Sequence, residues 1–286
     1  MPDRPVMLAA GFGYSAGALA PKLIARGWRV IGTHRDPARA AAIAASGVEP
    51  ALWPPAPALV AEASHVLVSA GPDEAGDPTL RAAGPALNAS KRLEWVGYLS
   101  TTGVYGHHGG DWVDEDSPLS PGTVRGAARV KAEEEWRAAG LPLHIFRLAG
   151  IYGPGRGPFA KLRAGVARRI LKPGQVFSRI HRDDIAAGLM ASIERPRPGA
   201  IYNLCDDLPA APEDVIAHAA RLLGMDAPPE IPIGEAEMSP MARSFYAESK
   251  RVSNRRLREE LGVALAYPTY REGLAATLEE ERKAPV

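Results

Sequence analysis

A short glycine-rich stretch near the start of the chain has the spacing needed to hold a bulky anion. An uninterrupted apolar run ending at Ala10 leads into Gly11-Phe12-Gly13-Tyr14-Ser15-Ala16. Gly11 and Gly13 let the backbone turn sharply and come close to a phosphate, and the small Ala16 lets a following helix pack tightly. The first amides of that helix would then point at a pyrophosphate. The pattern indicates a dinucleotide site, although similar turns that bind nothing also occur.

The residues after the next apolar segment, Trp28 to Gly32, bear on the choice of dinucleotide. An acidic side chain at this place holds a ribose 2′-hydroxyl, whereas an arginine accommodates a 2′-phosphate. The chain has Thr33, then Arg35, then Asp36 directly before a proline, which is the arrangement of a helix N-cap. With Asp36 acting as a cap, Thr33 and Arg35 favour NADP, and NAD is the alternative. Arg35 could also be an ordinary solvated charge.

Two further apolar segments end in small or hydroxyl-bearing residues. One leads into Ser69, Ala70 and Gly71, and the other leads into Thr101. The carboxyl ends of parallel strands line the ligand crevice of an open α/β sheet. We therefore expect these residues to border the cofactor together with the glycine-rich turn.

Length, charge and cysteine content narrow the class of protein. The 286 residues suffice for one large α/β domain, or for a nucleotide-binding domain with a smaller lobe. A net charge of +1 gives no overall field for nucleic acid or an anionic membrane. The single cysteine, Cys205, excludes an internal disulfide, and the pair His107-His108 lacks the further ligands of a metal site. We expect a soluble, cytoplasmic protein that binds a small molecule, without metal, nucleic acid or membrane.

Several later stretches resemble one known family. The segment Leu99 to Gly106 resembles the S-[ST]-x-x-V-Y-G signature of the extended short-chain dehydrogenases/reductases, the group of nucleotide-sugar epimerases and dehydratases. Phe146 to Gly155 is similar to that group's R-x-x-x-x-Y-G-P-G, Ile180 to Ala186 to its H-x-D-D-[VI]-A, and Tyr202 to Leu204 to its Y-N-[IVL]. Together with the glycine-rich turn, these motifs follow the family's order.

The resemblance implies an α/β fold, namely a Rossmann-type doubly wound parallel sheet with a smaller C-terminal substrate lobe. The NAD(P)-binding domain would take residues 1–155 and 176–206, and the lobe would take residues 156–175 and 207–286. The resemblance also suggests a homodimer.

At the catalytic positions the chain departs from the family. Thr101 matches the family's Ser/Thr that hydrogen-bonds the substrate oxygen, but the Tyr-x-x-x-Lys pair falls on Arg125 and Arg129, and no tyrosine lies between Tyr105 and Tyr152. An arginine keeps its proton near neutral pH but can bind an anion. We predict that Arg125 binds an acidic substrate group and that Arg129 donates to ribose hydroxyls as the family lysine does. Another source, such as Tyr105, must then supply the proton.

Two functions are open at this point. The first is oxidoreductase or epimerase-type hydride chemistry on a small carbonyl or hydroxyl compound, either neutral or anionic. The second is a non-catalytic protein that binds NADP(H) and reports redox state to a partner. For the enzyme, the candidate proton sources are Tyr105, His107, Asp114, Glu115 and water. Arg129 also has a simpler alternative, because it could pair with Glu133 one turn along a surface helix.

Overall fold

The computed structural model describes residues 4–283. In chain order, the strands are β1 Val6–Ala10, β2 Arg29–His34, β3 Glu49–Leu52, β4 His65–Val68, β5 Trp95–Thr101, β6 Trp112–Val113, β7 Leu143–Leu148, β8 Gly150–Tyr152, β9 Arg169–Leu171, β10 Arg179–His181, β11 Ile201–Leu204, β12 Glu230–Pro232 and β13 Arg251–Val252. The helices are α1 Tyr14–Ile24, α2 Ala40–Ala45, α3 Pro57–Glu62, α4 Pro78–Ala89, α5 Val124–Ala138, α6 Phe159–Arg163, α7 Arg182–Glu194, α8 Pro212–Leu222, α9 Pro240–Tyr246, α10 Arg255–Glu259 and α11 Tyr270–Lys283.

The central sheet is parallel throughout and has the strand order β11-β7-β5-β4-β1-β2-β3. Strands are added on one side of β1 as far as β3, and the chain then crosses to the other side with β4. The order therefore reverses between β1 and β4, which is where ligands of doubly wound sheets bind. The predicted α/β fold with a Rossmann-type sheet is confirmed.

Helices cover both faces of this sheet, which explains why its inner strands are continuous apolar runs and not alternating ones. Every residue of β1, β4 and β7 is buried. On one face the sheet packs against α1 and α7 through residues such as Leu19 and Leu189. On the other face it packs against α3, α4 and α5 through residues such as Leu87 and Trp136.

The C-terminal part of the chain has a core of its own, but part of the tail returns to the sheet domain. Helices α6, α8 and α11 pack around a separate apolar cluster that includes Phe159 and Leu274, and β9 pairs with β12. In contrast, β13 pairs with β6, and Leu257 of α10 lies in the core of the sheet domain. The predicted lobe of residues 207–286 thus contains a segment that packs outside it. Within residues 4–283, no helix combines the length and apolar character required to cross a bilayer.

Candidate active site

The glycine-rich turn after β1 lies directly against the turn after β4. Gly11 has φ +86°, and a Cβ atom on it would lie 2.9 Å from the backbone nitrogen of Ala70. The N–H groups of Ser69 and Ala70 donate to the carbonyl of Ala10 at 2.9 and 3.0 Å. Only glycine fits both the backbone conformation and the space at this position. Ser69 and Ala70 are half-buried and Gly71 is exposed, so the three predicted residues border the crevice at the switch point of the sheet.

Phe12 and Thr33, two of the predicted cofactor residues, support the backbone of this turn from the side of the sheet. The ring of Phe12 is buried over Gly32, where a Cβ atom would come within 2.8 Å of it. The Thr33 hydroxyl accepts a hydrogen bond from Gly11 N–H at 2.7 Å, and Thr33 is 1% exposed. The structure therefore corrects the prediction that Thr33 binds the cofactor and favours NADP: its hydroxyl lies under the turn and holds the backbone, away from the crevice.

Helix α1 begins at Tyr14, immediately after the turn. Gly13 is its N-cap and supplies no capping side chain, and no acidic residue lies in the first helical turn. The amides of Tyr14, Ser15 and Ala16 have no helical carbonyl to bond, because the first residues of any helix lack one. Ser15 and Ala16 are buried and let the helix lie close to the sheet. The helix start therefore favours an anionic ligand such as a pyrophosphate.

Two arginines lie beyond β2, and sequence reasoning found only one of them. Arg35 is exposed, and the carboxylate of Asp36 accepts a hydrogen bond from Ala38 N–H at 3.0 Å, which confirms Asp36 as the cap. Arg39 was missed, although it follows Arg35 by only four residues. Its Nη2 donates to the carbonyl of Phe12 at 3.2 Å, so it reaches the glycine-rich turn itself.

Thr101 ends β5, the strand next to β4, and is half-buried. Its Oγ1 accepts a hydrogen bond from Gly103 N–H at 3.1 Å and thereby caps the short 3₁₀ turn of residues 102–105. Within residues 4–283 no acceptor takes the proton of this hydroxyl. Thr101 is therefore held in place by one bond and retains a donor for a ligand oxygen.

Arg129 reaches back from α5 to the edge of the sheet. Its Nη1 donates to the Leu99 carbonyl at 2.6 Å and to the Tyr98 hydroxyl at 3.1 Å. Its Nη2 lies 3.4 Å from the place where a Cβ atom on Gly71 would be, so the guanidinium group is beside the turn after β4. Arg125, one helical turn earlier, is exposed. The alternative pairing of Arg129 with Glu133 does not occur in the structure.

Glu133 instead belongs to a buried charge pair that ties the site's elements together. Its carboxylate accepts from Arg147 Nη2 at 2.8 Å and from Ser100 Oγ at 2.6 Å, and Glu133 and Arg147 are 0% and 2% exposed. The expectation that Glu133 lies on the helix surface is wrong, because the sheet supplies an arginine directly beneath it. Ser100 is adjacent to Thr101, so this pair joins α5, β5 and β7 just below the crevice.

Tyr105 is not available as a proton source, contrary to the prediction. Its side chain is fully buried, and its hydroxyl donates to Asn203 Oδ1 at 2.7 Å and accepts from Arg147 Nη1 at 3.0 Å. Burial raises the pKa of Tyr105 to about 12. The phenol therefore belongs to the buried polar network and does not face a ligand.

The remaining candidates differ in exposure. Glu115 is buried and accepts from Asn203 N–H at 2.7 Å, and burial raises its pKa. A hydrogen bond from Ser117 lowers the pKa of Asp114, which favours a carboxylate over a proton donor. His107 is exposed, and its Nδ1 accepts from Ser249 N–H at 3.0 Å, which assigns the ring proton to Nε2. His107 and water are thus the proton sources that these contacts leave open.

Solved structures with this fold come from several organisms. A conserved protein of unknown function from Silicibacter pomeroyi DSS is 55% identical, with a TM-score of 0.93 over 96% of this chain and 99% of that one. The human epimerase family protein SDR39U1 with NADPH is 21% identical, with a TM-score of 0.75 over 96% and 99%. The Bacillus cereus UDP-glucuronic acid 4-epimerase with NAD is 16% identical, with a TM-score of 0.73 over 98% and 99%.

The chain has the fold of the NAD(P)-dependent epimerases and dehydratases, the extended short-chain dehydrogenases/reductases, and its structural neighbours are members of that group. By sequence, the chain belongs to the family of Protein YeeZ from Escherichia coli (strain K12). The two sequences are 31% identical over 235 residues, which is 76% of this chain and 84% of YeeZ. No protein-family model matches the chain.

Proposed function

We propose that this protein is an NADP(H)-dependent oxidoreductase, or an enzyme of epimerase-type hydride chemistry, that acts on a small anionic carbonyl or hydroxyl compound. One observation carries the proposal: on the neighbouring strands β1, β4 and β5, the Gly11 turn, the Ser69 turn and Thr101 line one edge of the sheet, and Arg129 reaches the same edge. Each of these groups suits a different part of a dinucleotide or of its substrate.

The residues present fit a nicotinamide dinucleotide, which supplies or accepts a hydride when bound. Because Gly11 has no side chain, the turn after β1 can lie in contact with the turn after β4. The first amides of α1 would hold the pyrophosphate. Support for NADP over NAD comes from Arg35 and Arg39, since Asp36 is engaged as a cap. Relatives of this fold bind either cofactor: NADPH in the human protein and NAD in the Bacillus cereus epimerase.

The chain's own residues would then act on the substrate as follows. Thr101 donates a hydrogen bond from its hydroxyl to the substrate oxygen and thereby orients it. Arg129, whose position beside Gly71 is already fixed, donates to ribose hydroxyls. Arg125 is exposed and binds an acidic group of the substrate. Because neither arginine can exchange a proton near neutral pH, the proton comes from water or from His107.

Replacing Arg35 by alanine should weaken NADPH binding about ten- to a hundredfold and leave NADH binding nearly unchanged, because one charge-assisted contact to the 2′-phosphate is lost. Arg26→Ala is a suitable control, since Arg26 is also exposed but pairs with Glu194 at the far end of α1. Titration of both nucleotides by fluorescence checks the prediction. Equal affinities for NADPH and NADH in the unaltered protein would contradict the preference for NADP.

Turnover is tested by measuring the rate of NADPH oxidation with pairs of carbonyl compounds. The two members of a pair differ only in whether they carry a carboxylate or phosphate group. We expect activity on the acidic compounds, and we expect Arg125→Ala to raise KM for them by about tenfold or more without changing KM for neutral ones. Lys131→Ala, on the same helix and paired with Glu135 at 3.8 Å, is the matched control. NADPH binding without turnover of any compound would favour the alternative, a protein that senses the redox state of NADP(H). The absence of the family tyrosine is the observation that keeps this alternative open.

A further inference from the structure

The side of the glycine-rich turn that faces the C-terminal lobe is closed by a second turn, formed by residues 153–156. The hydroxyl of Tyr14, the first residue of α1, donates to the Pro154 carbonyl at 2.9 Å. A Cβ atom on Gly153 would lie 2.7 Å from that hydroxyl, so the two turns are in direct contact. The segment between β8 and α6 is thereby held against the start of α1.

This second turn has a defined backbone. The N–H groups of Gly153 and Arg156 each donate to the other residue's carbonyl at 2.9 Å. Gly155 has φ +70°, which favours glycine, and its N–H donates to Glu281 Oε1 at 3.3 Å. Arg156 therefore projects from a fixed point, and its guanidinium carbon lies 5.6 Å from the centre of the Tyr14 ring. The aromatic ring serves as a platform for the cation.

Charge distinguishes Arg156 from the other arginine on this ring. Arg182 also lies 5.6 Å from the ring centre, but it forms ion pairs with Glu280 and with Asp183, the latter at 3.5 Å. Arg156 is exposed and, within residues 4–283, has no acidic partner. It is thus a positioned cation whose charge the protein leaves uncompensated.

The glycine-rich turn lacks a cation of its own. Residues 11–17 contain no lysine or arginine, so a pyrophosphate there would meet only backbone amides from this segment. Arg39 reaches the turn on the β2 side through the Phe12 carbonyl, and Arg156 reaches it on the lobe side through the ring of Tyr14. A guanidinium group binds two phosphate oxygens at once, which an ammonium group does not.

We propose that Arg156 is a phosphate-binding residue that the C-terminal lobe contributes to the dinucleotide site, with Tyr14 as its platform. Its guanidinium group would meet the pyrophosphate of the bound cofactor, so that binding joins the lobe to the sheet domain. The inference rests on the proposed function, because it requires a dinucleotide in the turn. It assigns Arg156 a role separate from that of Arg35, since both NADPH and NADH carry a pyrophosphate.

The test is to titrate NADPH and NADH into the full chain and into Arg156→Ala, Arg156→Lys and Arg271→Ala. We expect Arg156→Ala to weaken both nucleotides by the same factor, about ten- to a hundredfold, whereas Arg35→Ala affects NADPH alone. Arg156→Lys should recover part of the loss. Arg271→Ala is the control, because Arg271 is also an exposed lobe arginine beside an aromatic ring, 5.8 Å from the centre of Tyr270, but it lies at the opposite end of α11 from Glu281, which holds the turn.

Three results would overturn the inference. Affinities of Arg156→Ala within twofold of those of the unaltered protein would show that the cation does not touch the cofactor. An equal loss in Arg271→Ala would show a general effect of lobe charge. An unaltered chain that binds neither nucleotide would overturn the proposed function and this inference together, whereas normal binding with an unchanged Arg156→Ala overturns this inference alone.

Discussion

Replacing Thr101 by valine should lower the rate of NADPH-dependent turnover by about 30- to 1,000-fold, which corresponds to about 2 to 4 kcal/mol of barrier. Valine keeps the shape of the side chain and removes the hydroxyl. That hydroxyl accepts from Gly103 N–H at 3.1 Å and retains its own proton for a substrate oxygen. The affinity for NADPH should stay within about twofold, because the contact forms with the substrate and not with the cofactor.

Two further variants separate this role from the loss of a cap. Thr101→Ser keeps the hydroxyl and should keep most of the rate. Thr102→Val alters the neighbouring, also half-buried residue and should change the rate little. Loss of the cap alone costs about 1 kcal/mol of stability, which thermal unfolding measures independently. A Thr101→Val protein that turns over as fast as the unaltered enzyme would refute the assignment.

Replacing Arg147 by methionine should reduce the free energy of unfolding by about 3 to 5 kcal/mol, because it leaves the buried carboxylate of Glu133 without its main partner. Both side chains are almost fully buried, and Arg147 contacts that carboxylate at 2.8 and 3.2 Å. The same pair fixes Ser100, the neighbour of Thr101. Denaturant unfolding of the two proteins measures the difference.

Arg137→Ala provides the control for this second prediction. Arg137 contacts the same carboxylate at 2.9 Å, but its side chain is 38% exposed. Its loss should cost less than about 1 kcal/mol, since solvent screens an exposed pair. The double variant Arg147→Met with Glu133→Leu should be destabilised less than the sum of the two single variants, because no charge is left buried alone. A loss below 1 kcal/mol in Arg147→Met would contradict the account.

The fold could be predicted from the sequence because its strands are apolar runs that end in turn residues. The runs before Gly11, Ser69 and Thr101 became β1, β4 and β5, and the order of motifs matched a doubly wound sheet. The packing of the C-terminal tail could not be predicted in this way. Leu257, the one apolar residue of α10, carries no mark of the partner that it packs against, and it joins the core of the sheet domain.

Only the part of the site that the backbone forms could be predicted from the sequence. Glycines and small residues signal where a phosphate can approach, but side-chain partners depend on which strands become neighbours. Glu133 looked like a surface residue because its helix is highly charged, and only the placement of Arg147 on β7 explains its burial. The position of Arg147 also explains why Tyr105 lies outside the crevice, because the Tyr105 hydroxyl forms hydrogen bonds with Arg147 and Asn203. Arg156 comes from a distant turn, and spacing along the chain does not reveal it.

The most direct test of the central claim is a titration of NADPH and NADH into the unaltered protein and into Gly13→Ala. Gly13 has an extended backbone, and a Cβ atom there would lie 3.8 Å from the Gly11 carbonyl oxygen, an ordinary van der Waals distance, so the variant should fold normally. Its methyl group would nevertheless stand at the turn where the pyrophosphate approaches. We predict that the unaltered protein binds NADPH more tightly than NADH and that Gly13→Ala binds both more weakly at an unchanged Tm. An unaltered protein that binds neither nucleotide would contradict the claim.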